Sequence, residues 1–212
     1  MDLLANLADG VITGNDQRVA EITKQVIDQG TAPKTILDDG LIAGMNVIGE
    51  RFRVHDIFLP DVLLAARAMY AGMDLLKPLL IAEGIPSIGR VVIGSVQGDL
   101  HDIGKNLVGI MLKGAGFDVI DLGNDVAPER MVQTAQEQGA TVIGMSALLT
   151  TTMPVMGKVV DMIHQEGLDD GIKTIVGGAP VSDDFARDIG ADAHGFDAAN
   201  AVDRVKLLMN VS

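Results

Sequence analysis

The chain has 212 residues, 16 Lys and Arg against 29 Asp and Glu for a net charge of −13, 48% hydrophobic residues, 25 glycines, and neither cysteine nor tryptophan. This is enough apolar material for one large or two small globular domains, and so acidic a surface repels phosphate backbones and anionic lipid, so no nucleic acid and no membrane is expected as partner. Without cysteine there are no disulfides, thiolate nucleophiles, iron–sulfur clusters or thiol-bound zinc.

Met1-Asp2-Leu3-Leu4 shows no basic segment ahead of an apolar run, so no leader is expected and a cytoplasmic protein is the reading. Up to about residue 84 the apolar residues recur at helical spacing. Helices are predicted over Leu3–Ile12, over Asp16–Gln29 with Asp16 as N-cap, and from Pro33 to about Arg53 with a break near Gly40. A longer one starts at Leu59-Pro60-Asp61, where proline suits the first turn, and runs through Val62, Ala66, Met69, Met73, Leu76 and Leu80. These make an N-terminal all-α helical bundle over residues 1–84.

After the turn-rich Ala82-Glu83-Gly84-Ile85-Pro86 the pattern changes. Short β-branched runs, Arg90–Val96, Asp118–Leu122, Thr141–Ser146, Lys173–Val176 and Ala193–Phe196, alternate with helical segments Ile103–Gly114, Pro128–Gln138, Thr152–Glu166, Asp183–Ile189 and Ala198–Met209. The uncharged stretch from Gln138 to Gly157 holds three threonines and Pro154, and reads as a buried strand plus a loop, not a membrane span. Five strand–helix alternations over residues 88–212 predict an α/β, flavodoxin-like (Rossmann-like), doubly wound five-stranded parallel sheet, which binds ligands at the carboxyl ends of its strands.

Directly after the first strand comes Gly98-Asp99-Leu100-His101-Asp102-Ile103-Gly104-Lys105-Asn106. Its glycines fit neither G-x-G-x-x-G nor a Walker loop, so dinucleotide and P-loop binding are not supported. Asp99 and His101 stand two residues apart. A histidine nitrogen is a good transition-metal ligand, and its other nitrogen commonly donates to a carboxylate that fixes the tautomer. The same spacing suits a loop histidine satisfied by its acidic neighbours, and Lys105 reads as a solvated helix residue.

Asp99-x-His101-x-x-Gly104 resembles the D-x-H-x-x-G signature of cobalamin-binding domains of the methionine-synthase type. Ser146-x-Leu148 after the third strand and Gly177-Gly178 after the fourth are further marks of that family. Gly44-Met45, Gly49-Glu50-Arg51-Phe52 and Phe58-Leu59-Pro60-Asp61-Val62-Leu63 resemble its helical cap domain. The two-domain length is similar to that of the corrinoid proteins of anaerobic methyltransferase systems. The resemblance implies a cobalamin or related corrinoid, carried as methylcobalamin, with His101 as lower axial cobalt ligand. Asp99 and Thr152 would then complete a proton relay, Thr152 standing where methionine synthase has serine. Ser146 and Leu148 would line the slot for the nucleotide tail, Gly177 and Gly178 would let it pass, and Gly104 would let the following helix approach the ligand.

Phe52 and the Arg51–Leu59 region are the cap residues expected to approach the cofactor. Met45, Met69 and Met73 suit ordinary core as well as the corrin's upper face. His55-Asp56 departs from the family's usual Gly-Glu and reads as a turn, while His164 and His194 are taken as structural. The implied function is a methyl carrier on cobalt. Its partners would be a substrate-specific methyltransferase, a second methyltransferase passing the group to tetrahydrofolate or a thiol coenzyme, and a reductive activase. The same signature also suits the cobalamin subunit of an adenosylcobalamin-dependent isomerase or a cobalamin-sensing regulator, and without His101 as a ligand a flavodoxin-like domain with another ligand stands as the alternative. The methyl donor and the oligomeric state are open.

Overall fold

A computed structural model describes residues 2–85 and 87–211. The chain divides into two compact units, the first comprising residues up to Ser87 together with Gly114–Gly116, the second Ile88–Lys113 and the chain from Phe117 onward. No helix among the described residues is long and apolar enough to cross a membrane.

The first unit holds α1 (Leu3–Ile12), α2 (Asp16–Asp28), a short turn α3 (Pro33–Thr35), a π-helical segment Ile36–Ile42, α4 (Ala43–Arg53) and α5 (Leu59–Ala82). Asp2 caps α1 by accepting the Leu4 and Ala5 N–H groups. The cap of α2 is Asn15, whose side chain accepts the Arg18 N–H at 3.0 Å, and not Asp16 as the sequence suggested. Both residues suit the role, but Asp16 already has helical backbone geometry. The predicted break near Gly40 is instead a π-helical widening that runs directly into α4. A Cβ at Gly40 would press on Leu7, and one at Gly44 on Val11 and the Ala8 carbonyl. These two glycines, one turn apart, let α1 lie close against the third helical stretch. Val11, Val19, Ile36, Leu41, Ile48, Met69 and Leu76 form the centre, so Met45 and Met69 belong to the core of this unit.

At the end of α4, His55 takes a left-handed conformation with φ 60°, where glycine is the favoured residue. Its N–H donates to the Phe52 carbonyl at 3.1 Å, and an Arg51–Asp56 ion pair at 2.6 Å closes the same turn. This is the physical content of the His-for-Gly departure. Asp61 then starts α5 by accepting the Phe58 N–H at 2.9 Å.

The second unit is a five-stranded parallel sheet in the order β2-β1-β3-β4-β5, formed by β1 (Arg90–Ser95), β2 (Asp118–Asp121), β3 (Val142–Ser146), β4 (Lys173–Gly177) and β5 (Ala193–Gly195). The crossovers are α6 (Ile103–Gly114), α7 (Pro128–Gln138), α8 (Pro154–Gln165) and α9 (Asp183–Asp188), and α10 (Ala198–Leu208) follows the last strand. Strand order reverses between β1 and β3, and the crevice at such a reversal is where this architecture binds ligands. Register sets the carboxyl ends side by side, with Ser95 opposite Ser146 and Ser146 opposite Gly177. The β-branched runs Val91-Val92-Ile93 and Val142-Ile143 are buried on both faces, as a sheet covered by helices requires. Val92, Met131, Ile143, Met156, Val159 and Val176 belong to the core on one side of the sheet.

Candidate functional site

The site is built on the loops that leave β1 and β3. Asp99 is fully buried, and its carboxylate accepts five hydrogen bonds. Oδ1 accepts the His101 backbone N–H at 3.0 Å and faces His101 Nδ1 at 2.8 Å. Oδ2 accepts the Leu148 N–H at 2.8 Å, the Leu149 N–H at 3.2 Å and the Thr152 hydroxyl at 2.7 Å. Burial alone would push this carboxyl's pKa up. The donors from Thr152, Leu148 and His101 outweigh burial and hold it well below the usual carboxylate range. Asp99 is therefore ionised and accepts only, so Nδ1 of His101 must carry the proton. In the neutral ring the lone pair is then on Nε2, and the imidazole side chain is half-exposed.

Thr152 joins Asp99 across 53 residues of sequence. Its hydroxyl also lies 2.9 Å from the Leu149 carbonyl, and α8 begins two residues later without a side-chain cap. Its bonding is thus to the carboxylate and the loop, not to the helix end.

The loops at this end of the sheet expose several large apolar side chains. Leu100, Ile103, Leu148, Leu149 and Phe196 are all exposed at the carboxyl end of the sheet. Gly104 is exposed as well, and a Cβ there would meet nothing within 4 Å. A ring nitrogen turned away from Asp99, beside exposed leucine and isoleucine, suits a flat, largely apolar ring with a metal at its centre. The residues present fit a corrin.

Ser146 ends β3, half-buried, and its carbonyl accepts the Val96 N–H at 3.0 Å. Gly177 ends β4 and Gly178 follows it, and their need for glycine comes first from the chain itself. Gly178 has φ 129°, and a Cβ there would be driven into the Ala147 carbonyl oxygen, while one at Gly177 would lie 2.9 Å from the Gly195 oxygen. The loops after β3, β4 and β5 are therefore pressed together backbone to backbone. Asp99, His101, Gly104, Ser146, Leu148, Thr152, Gly177 and Gly178 all belong to this edge of the second unit. Phe52 lies half-buried near the end of α4 in the first unit.

Several participants escaped the sequence reading. The Ser95 hydroxyl donates to the His101 carbonyl at 2.6 Å, the Asn124 amide to the Leu100 carbonyl at 3.3 Å, and Asp125 accepts the Gly98 N–H at 2.7 Å. Lys105 is no solvated residue. It is buried and ion-paired with Asp121, which also accepts the Gly123 N–H at 2.9 Å. This pair ties the first turn of α6 to the end of β2. His164 pairs with Asp169 on the surface. His194 Nδ1 pairs with Asp183 at 2.9 Å, and its buried Nε2 lacks a partner among the described residues.

Comparison with known proteins decides which family shares this arrangement. The B12 binding domain family matches residues 89–205, and a second B12 binding domain family matches residues 3–77. The chain belongs to the B12-binding corrinoid proteins. A corrinoid protein of Desulfitobacterium hafniense is 40% identical over 206 residues, covering 96% of this chain and 95% of the relative. Dimethylamine corrinoid protein 1 of Methanosarcina acetivorans is 43% identical over 213 residues, 98% of each chain. Among solved structures, the methanol:cobalamin methyltransferase complex of Methanosarcina barkeri matches with a TM-score of 0.89 at 31% identity, covering all of this chain and 81% of that one. A helical unit followed by a flavodoxin-like sheet is thus the family architecture of this corrinoid protein, and cobalamin is its class of ligand.

Proposed function

We propose that this chain is a methyl carrier that binds a corrinoid, with His101 Nε2 as the atom that would hold its cobalt. When bound, the corrinoid supplies a cobalt that takes a methyl group from one partner and yields it to another. The observation that carries the reading is the ionised, buried Asp99 holding Nδ1–H, so that the ligating lone pair stands on the exposed nitrogen amid apolar side chains. A carboxylate partner strengthens imidazole donation and fixes the ring's direction. Asp99 would hold Nδ1–H whether or not Nε2 is engaged, and Thr152 keeps that carboxylate bonded in place. Leu100, Ile103 and Leu148, exposed on the same two loops, would exclude water from a ring held there. Gly177, Gly178 and Ser146 flank the path proposed for the nucleotide tail. We assign Phe52 to the cap side of the cofactor.

The partners proposed are a substrate-specific methyltransferase, a second methyltransferase serving tetrahydrofolate or a thiol coenzyme, and a reductive activase, all in the cytoplasm. The names of the relatives, a dimethylamine corrinoid protein and a methanol:cobalamin methyltransferase complex, support a small methylated amine or alcohol as donor. The test is a transfer assay. The chain is reconstituted with hydroxocobalamin, reduced, and mixed with an amine or methanol methyltransferase and isotopically labelled substrate. Label that co-elutes with protein-bound corrinoid and then passes to an acceptor supports the carrier. A loaded chain that takes no label from dimethylamine, trimethylamine or methanol with their cognate methyltransferases rejects that donor class.

A further inference from the structure

Asp99 fixes the His101 ring, but Asp99 itself sits in a loop that must be held from outside. That loop leaves β1, turns at Gly98 with φ 86°, and closes locally through the Asp99 N–H donating to the Val96 carbonyl at 3.0 Å. Its next three carbonyls are each met by a different residue. Asp99 O accepts the Asp125 N–H at 3.0 Å, Leu100 O accepts the Asn124 amide and His101 O accepts the Ser95 hydroxyl. Asp125 alone makes two of the grips, because its carboxylate also accepts the Gly98 N–H at 2.7 Å. One residue therefore holds the loop by the N–H before Asp99 and by the carbonyl of Asp99.

It does so from a left-handed backbone conformation, φ 53°, which aspartate and asparagine tolerate better than other non-glycine residues. The loop carrying it is itself anchored. Asp121 takes the buried Lys105 and the Gly123 N–H, Gly123 O accepts the Ser95 N–H at 3.0 Å, and Ser95 O accepts the Val126 N–H at 3.0 Å. Asp125 itself is exposed, so this geometry is not a by-product of core packing. Backbone strain on an exposed residue with two bonds to one loop is what a positioning role requires.

We propose that Asp125 is a positioning residue for His101. By clamping Gly98 and Asp99 it sets where the Asp99 carboxylate lies, and through it the tautomer and direction of the His101 ring. Its use in corrinoid ligation rests on the function proposed above, whereas the clamp is a property of the chain without cofactor.

Two variants separate backbone from carboxylate. Asp125→Asn keeps an acceptor oxygen and tolerates the conformation. Asp125→Gly keeps the conformation and loses the acceptor. In the cofactor-free protein, imidazole nitrogen NMR reads the His101 tautomer and amide hydrogen exchange reads Gly98. After reconstitution with cob(II)alamin, electron paramagnetic resonance reads nitrogen coupling to cobalt. Asp125→Asn is expected to match the wild type. Asp125→Gly is expected to speed Gly98 exchange by about tenfold, the loss of one hydrogen bond, to mix the two tautomers, and to lower the nitrogen-coupled fraction. Wild-type tautomer and exchange in Asp125→Gly overturn the proposal, as does equal loosening in both variants. A wild-type chain that takes up no cobalamin, while Asp125→Gly still loosens His101, rejects the corrinoid reading and leaves the clamp standing.

Discussion

Replacing Asp99 by asparagine tests the central electrostatic arrangement without changing its shape. Asparagine offers one oxygen and one NH2 where five donors now converge. The backbone N–H groups of Leu148 and Leu149 cannot turn round, so the oxygen is expected to stay with them. Thr152 follows it, or reverses its hydroxyl. The NH2 then faces His101, whose ring adapts by moving its proton to Nε2 and accepting at Nδ1, while the His101 backbone N–H loses its acceptor. Hydrogen bonds to charged groups contribute about 1.5–3 kcal/mol each, and the variant no longer buries a charge. A net loss of about 2–3 kcal/mol is expected in chemical unfolding at neutral pH. The acid dependence carries the sign. A folded-state pKa below the unfolded one contributes stability that is complete above the ordinary value near ~4 and is lost as pH falls toward the folded value. The two proteins should therefore converge in stability as pH drops below ~4. Retention of Nδ1–H in the variant, with an unchanged midpoint and acid slope, would mean that the Asp99 charge does not set the His101 tautomer.

Other substitutions separate local causes. Gly178→Ala must place a Cβ against the Ala147 carbonyl at φ 129° and is expected to cost about 3 kcal/mol or more by thermal or chemical unfolding; a neutral result would mean the β3 and β4 loops are free to part. Asp121→Ala, which strands a buried ammonium, should cost about 3 kcal/mol, whereas Lys105→Met leaves Asp121 partly solvated and should cost under about 1 kcal/mol. Equal losses from the two would contradict the asymmetric burial. His55→Gly relieves a left-handed residue and should stabilise the helical unit by about 1 kcal/mol, visible as a raised unfolding midpoint.

The strands were legible because β-branched runs such as Val91-Val92-Ile93 and Thr174-Ile175-Val176 are bounded by glycines and alternate with amphipathic helices. β3 ends at Ser146 as expected and the other four strands end one residue away from the expected position, so Phe196, read as the end of a strand, stands exposed beyond β5. The sequence marked an irregularity near Gly40 but not its π-helical form, since shifting the hydrogen-bond partner by one residue changes neither composition nor apolar spacing. The Asp99–His101 contact spans two residues and could be read directly. Asp125 and Lys105–Asp121 could not, because their partners lie 27 and 16 residues away and meet only once β1 and β2 pair. The only local signal for the clamp is Gly123-Asn124-Asp125, a turn-forming triplet whose residues suit left-handed geometry.

The most direct test of the account is reconstitution with hydroxocobalamin followed by gel filtration and visible absorption, with His101→Ala treated in parallel. About one corrinoid is expected to be retained per wild-type chain, with a spectrum that changes when the imidazole is removed although the variant remains folded. A folded wild-type chain that retains no corrinoid, or identical spectra for the two proteins, would contradict ligation through His101.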